Sequence, residues 1–286
     1  MLDAMTSALT PNRAALREQL AAPLALPAAA VAAYRQNGYV KLKQVLSPEV
    51  IAFYGSVISR KVVELNTDHT PLAERDTYGK AFLQIMNIWE QDETVREFSF
   101  SPRLARIAAE LMGVAGVRLY HDQALYKEPG GGVTPWHVDQ FYWPLSNSNT
   151  CTVWVPLQAT PLALGPLAFS IGSQIFDKGR ELPIGDDSEK QMAFKLKDFP
   201  VDETPFDLGE VSFHAGWTFH RASPNTSDRP RAVMTVIYIE DGIKLTAPRH
   251  KNHEADWARW MPGAQIGEAV ATPLNPVLYR RSEAPR

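Results

Sequence analysis

The chain has 286 residues, of which 45% are apolar and 21% charged, with a formal net charge of −3. These values suit a soluble globular protein of one large or two small domains, and they exclude a basic stripe for nucleic acid or a block of like charge. The run from Leu20 to Ala33 is too short and too broken by proline to span a bilayer and lacks the charged start of a secretory signal, while one cysteine, Cys151, rules out a disulfide framework and a Cys-rich zinc site. A reducing, cytoplasmic compartment is the default expectation.

In chain order, residues 1–25 read as a flexible arm. Ala28 to Gln36 is helix-prone and stops at Asn37-Gly38, a C-terminal signal. Tyr39 to Leu42 alternates like a strand. Ser47-Pro48-Glu49 opens the next helix, with Ser47 as N-cap and an apolar stripe of Val50, Ile51, Tyr54, Val57, Ile58 and Val62. Residues 66–80 look like a polar, mobile loop. Ser101-Pro102 starts a further helix with Leu104, Ile107, Ala108 and Leu111 on one face, closed by Gly113. These helices read as packing elements.

From Val117 onward the pattern changes to short β-rich runs separated by Pro/Gly turns: 117–126, 136–139, 150–157, 166–170, 209–213, 218–221 and 231–240. Many short strands at this spacing predict a mainly β sandwich or barrel with flanking helices. A charged, Pro-containing segment at 174–206 interrupts the series. In a compact domain so long a connection reads as an active-site lid or insertion. The tail, 246–286, is rich in Trp, Pro and Arg and receives no assignment.

The chemistry concentrates in YKEPGGGVTPWHVDQFYW, Tyr126 to Trp143, where His137 and Asp139 stand two residues apart after a Gly-rich turn. On a strand, residues i and i+2 project to the same face. An imidazole and a carboxylate then point into one cavity, supplying two thirds of the two-His-one-carboxylate set that holds non-haem Fe(II) and leaves three positions open. The remaining histidines are His69, His121, His214, His220, His250 and His253, and any one taken singly is ordinarily structural. About eighty residues on, GEVSFHAGWTFHRASPNTSDRPRAVMTVIY carries a His on a strand, the turn Pro224-Asn225-Thr226-Ser227, and an Arg entering a new strand. A chelating 2-oxo acid needs such a cation near the metal, because its far carboxylate requires a charge-assisted partner. His214 and His220 compete for the third ligand. His214, beside Ala215-Gly216, reads as a turn residue. Arg229 competes with Arg231, which directly precedes the strand 232–238.

The ordered motifs K-x-P-G-G-G-x-T-P-W-H-x-D-x-x-Y-W, T-V-W-x-P-L, G-P-L-x-x-x-x-G-S and H-R-A-S-P-N-T-S-x-R-x-R resemble the phytanoyl-CoA dioxygenase-like family, from about Gln36 to Glu240. The resemblance implies one Fe(II)/2-oxoglutarate oxygenase domain over 1–286, with a double-stranded β-helix (jelly-roll, cupin-like) core at 117–240. It implies His137, Asp139 and His220 as iron ligands and Arg231 as the anchor for the distal carboxylate of 2-oxoglutarate. Gln123, Trp154 and Gln84 fall where the family lines the co-substrate pocket. Lys127 shares strand parity with Gln123, and so joins them as a candidate. Tyr142, Trp143 and Trp217 are candidate substrate contacts. Ile171-Gly172-Ser173-Gln174 stands where the family usually reads Pro-Gly-Ser-His, a departure in a turn that touches no ligand.

The expected reaction consumes O2, decarboxylates 2-oxoglutarate to succinate and CO2, and hydroxylates an unactivated C–H bond of a small or medium organic metabolite, a natural-product intermediate or a carboxylated molecule. Asp139 argues against halogenation, which in such enzymes needs a small residue at that position to admit halide. No basic cluster of the kind a CoA thioester would favour is evident. Two alternatives use the same residues: a cupin-type metal dioxygenase without 2-oxoglutarate, and a non-catalytic ligand-binding jelly roll. No partner beyond a small-molecule substrate is expected, neither nucleic acid nor membrane.

Overall fold

Alternation along the strands sets the architecture, which the computed structural model describes over residues 12–281. The elements are α1 (Arg13–Ala21), α2 (Ala28–Asn37), β1 (Tyr39–Leu42), α3 (Pro48–Leu65), α4 (Thr77–Ala81), β2 (Leu83–Met86), α5 (Glu93–Ser99) and α6 (Pro102–Met112). There follow β3 (Gly116–Lys127), β4 (Thr134–His137), β5 (Thr150–Pro156), β6 (Leu167–Ser170), α7 (Asp186–Lys195), β7 (Val201–Asp202) and β8 (Val211–Ala215). The chain continues through β9 (His220–Ala222), β10 (Arg231–Glu240), α8 (Lys251–Trp260) and β11 (Val277–Arg280).

Two antiparallel sheets result. The larger runs β1-β8-β5-β10-β3-β11 with β2 also on β3, and the smaller runs β4-β9-β6-β7. On β10, Met234, Val236 and Tyr238 join the hydrophobic core that the N-terminal helices cover. The intervening Thr235 and Ile237 face a cavity between the sheets, as does Arg231 at the start of the strand. On β3, Ala124 points to the helices while His121, Gln123 and Leu125 point to the cavity. The period of two thus builds an apolar outer layer and a functional inner one from the same strands. The antiparallel sheets with flanking helices form the jelly roll expected from sequence.

The helices expected from Ser47-Pro48 and Ser101-Pro102 form with those serines as caps, Ser47 Oγ accepting from Val50 N at 3.3 Å and Ser101 Oγ from Leu104 N at 3.3 Å. Several expectations need correction. Of the arm at 1–25, residues 1–11 lie outside those described. The remainder contains α1, capped by Asn12 and held down by buried Leu16 and Leu20 and by Arg13 on Glu97 at 2.6 Å. The loop at 66–80 includes a helical turn at 72–74 and the start of α4, whose cap is Asp76 on Gly79 N at 2.7 Å. Helices of one or two turns carry too few residues for a periodic pattern. The segment 174–206, expected as a lid or insertion, carries α7 and β7, which leaves that expectation standing, and the tail, which received no assignment, carries α8 and β11.

Candidate active site

His137 ends β4 and His220 begins β9, and the antiparallel pairing sets the two directly opposite each other. Their rings stand 4.1 Å apart between centroids. Val138 is extended, so Asp139 keeps strand parity with His137 although it already opens a short helical turn, 139–142, rather than continuing the strand. That turn is fixed by Gln140 N donating to Gly216 O at 2.9 Å. Asp139 Oδ1 lies 3.8 Å from His137 Nε2 and 3.6 Å from His220 Nε2. One ligand atom from each of the three residues falls within 4.8 Å of the others.

Backbone contacts decide which nitrogens are free. His137 Nδ1 meets Pro135 O at 2.7 Å and His220 Nδ1 meets Thr218 O at 3.0 Å. A carbonyl only accepts, so Nδ1 carries the proton in both rings and each Nε2 presents a lone pair. Burial lowers the pKa of both imidazoles, favouring the neutral form that ligates. Burial would raise the Asp139 carboxyl, but His220, His214 and His137 around it hold it well below the usual carboxylate range. Two neutral imidazoles and one ionised carboxylate converging on one point are a donor set that fits a first-row divalent metal such as Fe(II).

The second carboxylate oxygen is also engaged. Oδ2 accepts from Thr152 Oγ1 at 2.8 Å and meets His214 Nε2 at 3.1 Å. His214 Nδ1 has no partner among the described residues, so Nε2 carries the proton and donates. His214 lies on β8 and is buried, not in a turn. Its strand pairs with β5, bringing His214 opposite Thr152 in register. The sequence reading missed this role because strand and turn diverge by only a residue or two at that point.

Arg231 opens β10, is 1% exposed, and donates from Nη1 to Gly165 O at 2.6 Å. Its Nε has no partner, and no carboxylate lies within ion-pair distance among the described residues. Burial lowers its pKa to about 9. A buried guanidinium without a counter-charge, at the wall of a cavity, is a ready receptor for an anion. Gly165 makes the contact possible: its φ is +67°, and a Cβ there would lie 2.1 Å from Ser223 O. Trp154, Gln123 and Gln84 line the same cavity. The two amides are joined, Gln84 Nε2 donating to Gln123 Oε1 at 2.5 Å, and the Tyr78 hydroxyl donates to Gln84 Oε1 at 2.8 Å.

Two sequence candidates fall elsewhere. Lys127 shares parity with Gln123 as expected, but its Nζ stops short of the cavity and donates to Gly132 O at 2.6 Å and Ser223 O at 3.0 Å. It pins the Gly-rich turn before β4 to the segment after β9. Trp217 lies beneath Arg180, 4.4 Å from ring centroid to guanidinium carbon, beside a separate hollow. Tyr142 and Trp143 do line the main cavity of about 340 Å³. So do groups that sequence reasoning left unassigned, among them His121, Tyr78, Ile184, Asn252, Asp256 and Trp260. His121 could have been found by the parity rule that selected Gln123. The α8 residues could not, since nothing local says where the tail docks.

Fold and site together define a jelly-roll metalloenzyme class, with a two-histidine, one-carboxylate donor set and a buried guanidinium on one cavity. The chain belongs to the phytanoyl-CoA dioxygenase (PhyH) family, whose model matches residues 34–233. It is therefore an iron- and 2-oxoglutarate-dependent dioxygenase, which displaces the non-catalytic alternative and the one without 2-oxoglutarate. Among relatives, it is 22% identical over 222 residues to the "Probable alpha-ketoglutarate-dependent hypophosphite dioxygenase" of Stutzerimonas stutzeri, covering 72% of this chain and 76% of that one. In fold it is similar to the epimerase SnoN in complex with Fe3+, alpha ketoglutarate and nogalamycin RO, at TM-score 0.73 and 23% identity over 94% of this chain and 100% of that one. It is similar also to the carbocyclase SnoK from nogalamycin biosynthesis, at TM-score 0.72 and 23% identity over 90% and 99% of the two chains. EctD from S. alaskensis with 2-oxoglutarate and 5-hydroxyectoine follows at TM-score 0.64 and 18% identity, covering 87% and 86%. No helix among the described residues is long and apolar enough to cross a membrane.

Proposed function

We propose that this chain hydroxylates an unactivated C–H bond of a small or medium organic molecule, with iron held by His137, Asp139 and His220. The observation that carries the reading is the convergence of two Nε2 lone pairs and one carboxylate oxygen in the cavity that also holds Arg231, buried and without a counter-charge. Bound iron supplies oxygen activation, coupled to conversion of 2-oxoglutarate to succinate and CO2.

The protein's own groups divide the remaining work. Arg231 grips the distal carboxylate of 2-oxoglutarate through its free N–H groups, while Gly165 O holds the guanidinium in place. Trp154 packs beside that guanidinium, 5.5 Å from ring centroid to its central carbon. Gln123 and Gln84 offer amide groups on the same wall. Thr152 and His214 fix the carboxylate plane of Asp139, leaving Oδ1 turned toward His137 and His220, where it would be available to hold iron. Residues 174–206 act as a cover that excludes water. Pro183 and Ile184 line the cavity, Ile184 N donates to the Tyr142 hydroxyl at 3.0 Å, and Glu189 binds both Trp136 N at 2.9 Å and Arg221 at 2.7 Å. Tyr142 and Trp143 contact substrate, and Lys127 serves as a positioning residue. The whole forms one catalytic domain acting in a reducing, cytoplasmic setting, where the buried thiol of Cys151 stays free.

Anaerobic titration of Fe(II) with 2-oxoglutarate tests the assignment. A weak visible charge-transfer band should develop and be lost in His220→Ala and in Arg231→Ala. Persistence of the full band in His220→Ala would remove the ligand set. Product analysis with an identified substrate then separates hydroxylation from ring closure or epimerisation, the activities that the names of SnoK and SnoN carry.

A further inference from the structure

Arg231 and His121 lie toward opposite ends of the β3/β10 pair, and at the His121 end α8 lines the cavity with polar groups that the co-substrate chemistry leaves unused. Asp256 and Asn252 stand one turn apart on α8, and both line the cavity. Asp256 Oδ2 accepts from the Tyr120 hydroxyl at 2.9 Å, whereas Oδ1 has no hydrogen-bond partner among the described residues. The Asn252 amide likewise makes no hydrogen bond among them. His121 comes from β3, lines the same cavity and packs at a tilt against Trp260, with centroids 4.6 Å apart. Its Nδ1 meets Asp122 O at 3.3 Å, which leaves Nε2 unbonded.

The charge balance here is one-sided. Arg259, three residues on along the helix, is exposed, lies over the Trp260 ring at 4.4 Å and forms no ion pair with Asp256, so its charge only partly offsets the effect of burial on that carboxyl. Burial pushes the Asp256 carboxyl up to about 7 and the His121 imidazole down to about 4, so His121 adds no positive charge at neutral pH. A half-buried carboxylate with one spare oxygen and no ion-pair partner among the described residues is stabilised by a cation arriving with the ligand. Around it the walls are aromatic: Trp260, Trp143, Tyr142, Tyr78 and Phe82. Such walls cover a flat or ring-bearing carbon skeleton and add cation–π attraction.

We propose that Asp256, with Asn252 and His121, forms the substrate-recognition subsite and takes a protonated amine, the attached carbon skeleton lying between the aromatic walls toward Asp139. This rests on the oxygenase reading for the placement of the reacting carbon and extends it to the substrate class, an amine-bearing cyclic or aromatic molecule. Asp139 also lines the cavity, but its oxygens are committed to His137, His220, His214 and Thr152.

The test uses the full chain with Fe(II) and 2-oxoglutarate under anaerobic conditions and three matched probes: tryptamine, tryptophol and indole-3-propionate. Calorimetric titration should give tryptamine at least about tenfold tighter binding than either of the others, from the charge pair alone. Asp256→Asn keeps an oxygen for the Tyr120 hydroxyl and the shape of the wall, and should erase the preference. Tyr120→Phe leaves the carboxylate and should retain it. Equal binding of the three probes by the unaltered chain, or a preference that survives Asp256→Asn, overturns the subsite. The charge-transfer band recorded before probe is added reports the iron site separately. A normal band without amine preference refutes the subsite alone, and amine preference without a band refutes the iron assignment alone.

Discussion

His214 donates to Asp139 on the oxygen that faces away from the other two histidines, Nε2 to Oδ2 at 3.1 Å, while Oδ1 stands 3.6 Å from His220 Nε2. One carboxylate is thus split between an oxygen turned toward His137 and His220 and an oxygen held by His214 and Thr152. Replacing His214 with Ala, or Thr152 with Val, should lower iron affinity roughly 10- to 100-fold without abolishing it. Competition against a chelator of known affinity measures the change. Loss of all binding in His214→Ala would instead make His214 a ligand.

Arg231 gives a different signature. Truncating one partner of a buried charge pair costs about 2–5 kcal/mol, so Arg231→Ala should raise the half-saturating 2-oxoglutarate concentration by roughly 30-fold or more. Iron binding should hardly change. Arg231→Lys should recover little, because a single ammonium cannot reproduce the planar fork that holds Gly165 O and a carboxylate together. Equal 2-oxoglutarate affinity in Arg231→Ala and the unaltered chain would refute the anchor.

Gly165 should be intolerant of a side chain. Its φ of +67° is costly for alanine, and the new methyl would meet Ser223 O at 2.1 Å. Gly165→Ala should lose at least about 2 kcal/mol of stability, read by denaturant unfolding, and weaken 2-oxoglutarate binding as the Arg231 cradle shifts. A variant of undiminished stability would contradict the close approach.

Lys127 should make stability depend on pH. Burial lowers its pKa to about 6, with Arg231 and Arg221 adding to the shift, so the folded chain holds a neutral amine whose N–H groups serve Gly132 and Ser223. In the unfolded chain the amine titrates near about 10.4, so between about 6 and 10.4 the unfolded state binds more protons. Stability relative to Lys127→Met should therefore rise with pH across that window and stay flat below it. Thermal unfolding of both proteins from pH 6 to 9.5 checks the slope. Parallel curves would mean the amine stays charged inside the fold.

The chain's local pattern determined a good deal by itself. The alternation of β10 predicts a strand over 231–240, and the strand forms there with Arg231 at its head. Serine caps followed by proline located α3 and α6, because capping is satisfied within four residues of chain. The spacing of His137 and Asp139 put both on one face, since parity survives the change from strand to turn at Val138. Contacts across the sheet had no local signature. The pairing of β5 with β8 carries His214 to Asp139, and the docking of α8 carries Asp256 to the cavity far from it in sequence. Lys127 marks the same boundary, because its parity was legible but its reach ended at two carbonyls supplied by distant turns. Short-range geometry fixes which face a side chain takes, whereas its partners follow only when distant segments close around it.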